Sequence, residues 1–179
     1  MRSLTFILIA AAAIVGCSSD GSLPLTETIA IDGTDYVIDY PEGWLTAERE
    51  SFLGIGENEA DIGPTPDRVL VGPIVTIEHQ APADVGLEED AGVDAFVELN
   101  SRIFRWPDDS ATSTVEIEGS PATMVRFAAP SQLERNVAFA MGSIGDRFVL
   151  ATLQVGNDRD IEDFLPTFES MLESLRPTN

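Results

Sequence analysis

Apolar positions recur with two different periods along this chain, and each change of period marks an element. Ile161, Phe164, Leu165, Phe168, Met171, Leu172 and Leu175 follow helical spacing without a gap. They predict a helix over 163–175 with one continuous apolar stripe, and Pro166 then falls in the first turn, where a missing N–H costs nothing. Val93, Phe96, Val97, Ile103 and Phe104 predict a second amphipathic helix over 92–105, ended by Pro107. Elsewhere the period shortens. Residues 69–78 are apolar and β-branched, with Val75, Ile77 and His79 on one face. Residues 113–118, 122–128, 136–143 and 147–155 predict four further strands. Gly119-Ser120, a loop at Pro130 and Gly145-Asp146 separate them as in an antiparallel meander.

Upstream, 28–32 and 36–40 predict a hairpin turning at Asp32-Gly33, and Pro41-Glu42-Gly43 stops its second strand before Trp44. Residues 54–68 hold three Gly and two Pro with no period and predict a long surface loop. Residues 81–91 form an acidic connection. The order β-β-loop-β-α-β-β-β-β-α specifies an α+β domain, a mostly antiparallel sheet covered by two amphipathic helices.

The first sixteen residues have a different character. Arg2 precedes an apolar run from Leu4 to Val15, too short for the roughly 20 residues of a spanning helix but suited to a secretory signal. Ile14-Val15-Gly16-Cys17 follows and resembles the bacterial lipobox, whose Cys is diacylated before the signal is removed. Cys17 is the sole Cys of the chain. The alternative is an ordinary cleaved signal with an incidental thiol. The expected organisation is a lipoprotein signal over 1–16, a lipid-anchored tether over 17–26 and one domain over 27–179. The location expected is the extracytoplasmic side of a bacterial cell membrane or outer membrane.

Composition narrows the chemistry. Among 179 residues, 31 are Asp or Glu and 10 are basic, all of them Arg, for a formal charge of −21. A chain without Lys has no Schiff-base lysine and no Walker-type phosphate loop. Without a basic stripe it is not expected to bind nucleic acid. One His and one Cys supply neither a zinc cage nor a disulfide, and no cofactor is expected.

Tyr40-Pro41-Glu42-Gly43-Trp44 after the early hairpin resembles the opening of PsbP-like domains. Ile117-Glu118-Gly119-Ser120-Pro121-Ala122 and the closing Met171-Leu172-Glu173-Ser174-Leu175-Arg176 resemble later parts of the same family. The family includes the photosystem II subunit PsbP, the Ran-binding Mog proteins and LpqN-type lipoproteins of actinobacteria. The resemblance runs from Ile29 to Arg176. It implies an α/β/α sandwich in binding or scaffolding roles, with no shared catalytic residues to carry over.

The remaining candidates are few. His79 is the only imidazole and stands at a predicted strand end, where a solvated or capping role competes with catalysis. Asp158, Asp160, Glu162 and Glu169 mimic a Ca²⁺-loop spacing, but Asp163 occupies the position of the sharp-turn Gly. Phe52, Leu53 and Ile55 beside Glu57, Glu59, Asp61 and Arg68 read as an apolar patch with an acidic rim on the long loop. That patch is the expected binding surface for a protein partner in the cell envelope, with the membrane reached through the lipid anchor. The function expected is a non-catalytic interaction or assembly module. The alternatives are a binding protein for a small or lipidic ligand held between helix and sheet, and a hydrolase built on paired carboxylates.

Overall fold

The computed structural model describes residues 21–49, 51–62, 70–128 and 135–178. Five strands come first: β1 (Leu25–Ala30), β2 (Tyr36–Pro41), β3 (Leu45–Arg49), β4 (Phe52–Gly56) and β5 (Ile74–Gln80). Helix α1 (Val93–Phe104) leads into β6 (Ala111–Ile117), β7 (Ser120–Ala128), β8 (Arg135–Ile144) and β9 (Arg147–Gly156). Helix α2 (Leu165–Glu173) and the short β10 (Arg176–Pro177) complete the chain. The seven-stranded sheet runs β3-β4-β5-β9-β8-β7-β6, antiparallel throughout, and a second sheet runs β1-β2-β10.

Alternation along β8 and β9 places two cores on opposite faces of the large sheet. Ala138, Ala140, Val149, Ala151 and Leu153 face one core, shared with α2 and the β1–β2 hairpin. Val137, Phe139, Met141, Phe148 and Leu150 face the other, which Phe96 of α1 enters in a stacked contact with Phe148. The layers are therefore α1, the seven-stranded sheet, then α2 with the small sheet. Gly142 lies where β8 meets its neighbours most closely. A Cβ there would stand 3.0 Å from Ala122 Cβ and 3.1 Å from Ile117 Cδ1, so the site admits no larger residue without movement.

The small sheet is fastened to the rest by polar contacts. Tyr36 donates its hydroxyl to Glu118 Oε1 at 3.0 Å and Asp39 N donates to Ser174 Oγ at 2.9 Å, while within the small sheet Arg176 of β10 grips the Asp39 carboxylate of β2 through two nitrogens at 2.7 and 2.8 Å. That guanidinium holds the Asp39 carboxyl below its ordinary range.

The four meander strands, both helices and the first hairpin stand close to where the sequence puts them. Two places differ. The expected loop over 54–68 is not a loop at its start: Phe52–Gly56 is β4, paired with β3 on one side and β5 on the other. Glycine hides the pattern. A Cβ on Gly54 would stand 3.0 Å from Ile62 Cγ2, and one on Gly56 would stand 3.0 Å from Pro73 O, so this strand needs small residues where alternation would put large ones. The β6–β7 turn lies one residue earlier than expected, on Glu118-Gly119. Both have positive φ, 52° and 68°, which gives the hairpin its tight reversal.

Glu78 of β5 is paired across the sheet with Phe52 and Leu150, and burial raises its carboxyl above the ordinary value. At neutral pH the folded state therefore carries an ion that the unfolded chain solvates better. Glu78→Gln is expected to raise the melting temperature at pH 7.5. The gain should shrink as pH falls through the raised folded pKa, because the native carboxyl takes up its proton before the unfolded one does. Parallel melts of both chains from pH 7.5 to 3 check this, and a gain independent of pH would contradict it.

Candidate interaction surface

The expected binding patch is taken apart by the strand that contains it. Leu53 and Ile55 are 1% and 0% exposed and point into the core beneath α2, while Phe52 is half-buried on the opposite face. Asp61 is buried, and its carboxylate accepts the backbone N–H groups of Val71 and Gly72, at 2.8 Å for the shortest contact. It staples the β4–β5 connection. Glu57 and Glu59 are both exposed, and Glu57 is paired with Arg159 at 3.2 Å. Cys17 and Arg68 lie outside the described residues.

His79 is not a solvated strand end. It is 3% exposed, with Nε2 at 2.8 Å from Asp32 O and Nδ1 at 3.3 Å from Arg147 Nη1. Arg147 can only donate, so Nδ1 accepts and Nε2 carries the proton that Asp32 O receives. The ring thus joins the β1–β2 connection to the large sheet with both nitrogens engaged. Its environment is that of a structural link.

The acidic candidates are likewise occupied. Asp160 accepts Glu162 N at 3.1 Å and caps the short 3₁₀ turn Ile161–Asp163, while Glu162 binds Arg126 at 2.7 Å. Among the described residues no group of three or more His, Cys, Asp or Glu side chains is arranged to hold a metal ion. Glu78 owes its raised pKa to burial alone. It is not one of a facing carboxylate pair of the kind the hydrolase alternative requires. Beneath α2, Phe168, Met171 and Leu172 are each 1% exposed or less and occupy the space between helix and sheet.

What remains is one end of the molecule. The large exposed apolar residues among those described are Leu23, Leu45, Val71, Ile103 and Phe104. Register places Leu45 at one end of the large sheet, and connections and contacts bring the other four toward it. Leu45 is opposite Gly56, and Gly56 opposite Ile74, at the end where β5 begins and β9 finishes. Val71 lies in the connection that enters β5 there. Arg135 pairs with Gly156 and Asn136 with Ala128, so β8 starts and β7 finishes at this end as well.

Helix α1 also ends here. Phe104 stacks on Phe139 with centroids 4.7 Å apart, and Phe139 meets Phe127 near the end of β7. Arg105 closes the helix at φ 49°, a left-handed conformation that usually takes Gly, and Trp106 N bonds back to Ser101 O. Helical spacing predicts Ile103 and Phe104 on the apolar face of this helix, but they are 61% and 40% exposed. Asn100 is buried in their place, donating to Phe96 O of its own helix at 2.8 Å. The signal in the sequence was Arg102-Ile103-Phe104-Arg105-Trp106, two of only ten cations bracketing two large apolar residues beside a Trp.

No family model matches the chain, and no curated protein matches it. Solved structures do. Mog1p, a Ran-binding protein of Saccharomyces cerevisiae, superposes with a TM-score of 0.54 at 10% identity over 87% of this chain and 97% of its own. Cyanobacterial PsbP (CyanoP) from Synechocystis gives a TM-score of 0.53 at 12% identity over 94% of this chain and 98% of its own. A Bacteroides thetaiotaomicron protein gives 0.56 at 11% identity over 87% of this chain, which spans only 50% of that protein. The chain has the α+β fold shared by PsbP and Mog1p, as the sequence resemblance implied.

Proposed function

We propose that this chain is a non-catalytic interaction module held at a membrane surface, on the extracytoplasmic side, by lipid on Cys17. The observation that carries the non-catalytic part is the position of its single imidazole, whose two nitrogens are both spent on structural contacts. The shared fold adds to it, since one neighbour of similar length is described as Ran-binding. The anchor rests on the sequence Ile14-Val15-Gly16-Cys17 after a short apolar run. Two acyl chains bury enough methylene groups, at about 0.8 kcal/mol each, to hold a protein that anionic headgroups would otherwise repel. In this reading the partner surface is the turn over 57–62, with Glu57 and Glu59 its exposed carboxylates and a protein of complementary charge its ligand.

Cell fractionation of the wild-type chain and Cys17→Ser tests this reading. The wild-type chain is expected in the membrane fraction, with a cross-linker at position 59 capturing an envelope protein. Cys17→Ser is expected to lose the membrane association. A Cys17→Ser chain distributed like wild type would overturn the anchor, and a position 59 that meets no protein would overturn the partner surface.

A further inference from the structure

The five exposed apolar side chains lie toward the pole of the large sheet where the described chain begins, Leu23 on the α2 side and Ile103 and Phe104 on the α1 side. Leu23 donates its backbone N–H to Thr167 Oγ1 at 2.9 Å, next to the start of α2. Arg126, two residues from the end of β7, ties the turn before α2 to that same pole through Glu162. Five residues separate Leu23 from Cys17, so the span is six peptide steps, about 20 Å of fully extended chain. A lipid-bearing Cys17 would therefore keep this pole, rather than the opposite end with its Glu118-Gly119 and Gly145-Asp146 turns, within about 20 Å of the bilayer.

We propose that the tip of α1, Ile103 and Phe104 with Trp106 beside them, inserts into the interfacial layer of the lipid bilayer and fixes the orientation of the domain on it. This rests on the lipid-anchor reading above. Three properties of the tip suit a lipid surface. Its two exposed apolar side chains stand on a rigid helix end backed by the Phe104–Phe139–Phe127 stack, so entering lipid orders little that is not already ordered. Arg102 and Arg105, two of the ten cations in a chain of −21, flank them, with Arg102 ion-paired to Glu98 one turn back. Arg is also a side chain that settles at the level of lipid headgroups, with its apolar stem inward and its charge outward, while Trp106 packs half-buried behind the tip with its indole N–H inside. Leu23, exposed at the same pole, brings the tether side of the domain to the same surface. The chain is thus held at two points, by acyl chains and by the tip, with the rest of the acidic surface turned away.

The chain has two Trp, and Trp44 is buried in the core, so Trp106 can report on its own surroundings. The full chain is reconstituted in phosphatidylcholine vesicles with bromine on the acyl chains, floated, and its Trp emission compared with that in unbrominated vesicles. It is measured both as wild type and as Trp44→Phe, so that a misfolded Trp44→Phe chain does not decide the outcome. The expected result is a chain that floats, loses Trp106 emission to bromine, and recovers that emission in Ile103→Asp, a change at an exposed position. A floating chain with unquenched Trp106, or quenching untouched by Ile103→Asp, overturns the tip and leaves the anchor standing. A chain that does not float overturns both. Trp106 unquenched in vesicles but shielded once envelope extract is added assigns the tip to a protein and likewise overturns the proposal.

Discussion

Phe168→Ala is expected to lower the stability of the domain by about 3–5 kcal/mol, the range for truncating a large buried aromatic side chain. Phe168 is 1% exposed and shares one core with Trp44, Ile38 and the inner faces of the large sheet, so its ring is where α2, the hairpin and the sheet meet. Its helix has few other means of holding on. It is nine residues long, too short to be stable alone, and forms because an apolar stripe docks. In a domain of this size the loss corresponds to roughly 6–20 °C in melting temperature. Thermal melts of wild type and variant at pH 7 read it directly. An unchanged melting curve would mean that α2 is not docked as described.

His79→Ala is expected to cost about 2–4 kcal/mol, of which an unpaired carbonyl accounts for about 1–3. Asp32 O loses its donor, Arg147 loses an acceptor, and the turn at Gly33 loses the ring it rests on, since a Cβ there would lie 3.5 Å from His79 Cε1. The variant also separates two roles for the residue. A structural link predicts that His79→Gln, which keeps a donor and an acceptor, recovers part of the stability. Equilibrium denaturation of the three chains decides it. Equal stability of wild type and His79→Ala would return His79 to the list of groups free for chemistry.

These two residues also mark how far the sequence could be read. Phe168 was legible because its stripe runs for four turns without a polar interruption, and the meander was legible because short Gly-containing turns separate alternating runs. β3 and β4 were not. Gly54 and Gly56 occupy positions where packing requires the absence of a side chain, and that absence resembles a loop in one dimension. The candidate patch failed for the same reason: Leu53 and Ile55 lie on a strand between β3, 5 to 9 positions upstream, and β5, 20 to 24 positions downstream.

His79 illustrates a second limit. Alternation placed it on the face of Val75 and Ile77, but not the arrival of Asp32 and Arg147 from other elements to satisfy it. On α1 the error ran the other way. Asn100 is buried by bonding to its own helix while Ile103 and Phe104 emerge, so polarity and burial exchange places over one turn. Only the joint pattern of two Arg around Ile103 and Phe104 in a chain with no Lys hinted at a surface role.

The most direct test of a lipid-held interaction module is the mass of its N-terminal peptide after purification from bacterial membranes. A mature chain beginning at Cys17 and carrying fatty acyl groups is the result expected. A chain beginning at any other residue, or at Cys17 with a bare thiol, would contradict it and release the domain from the membrane.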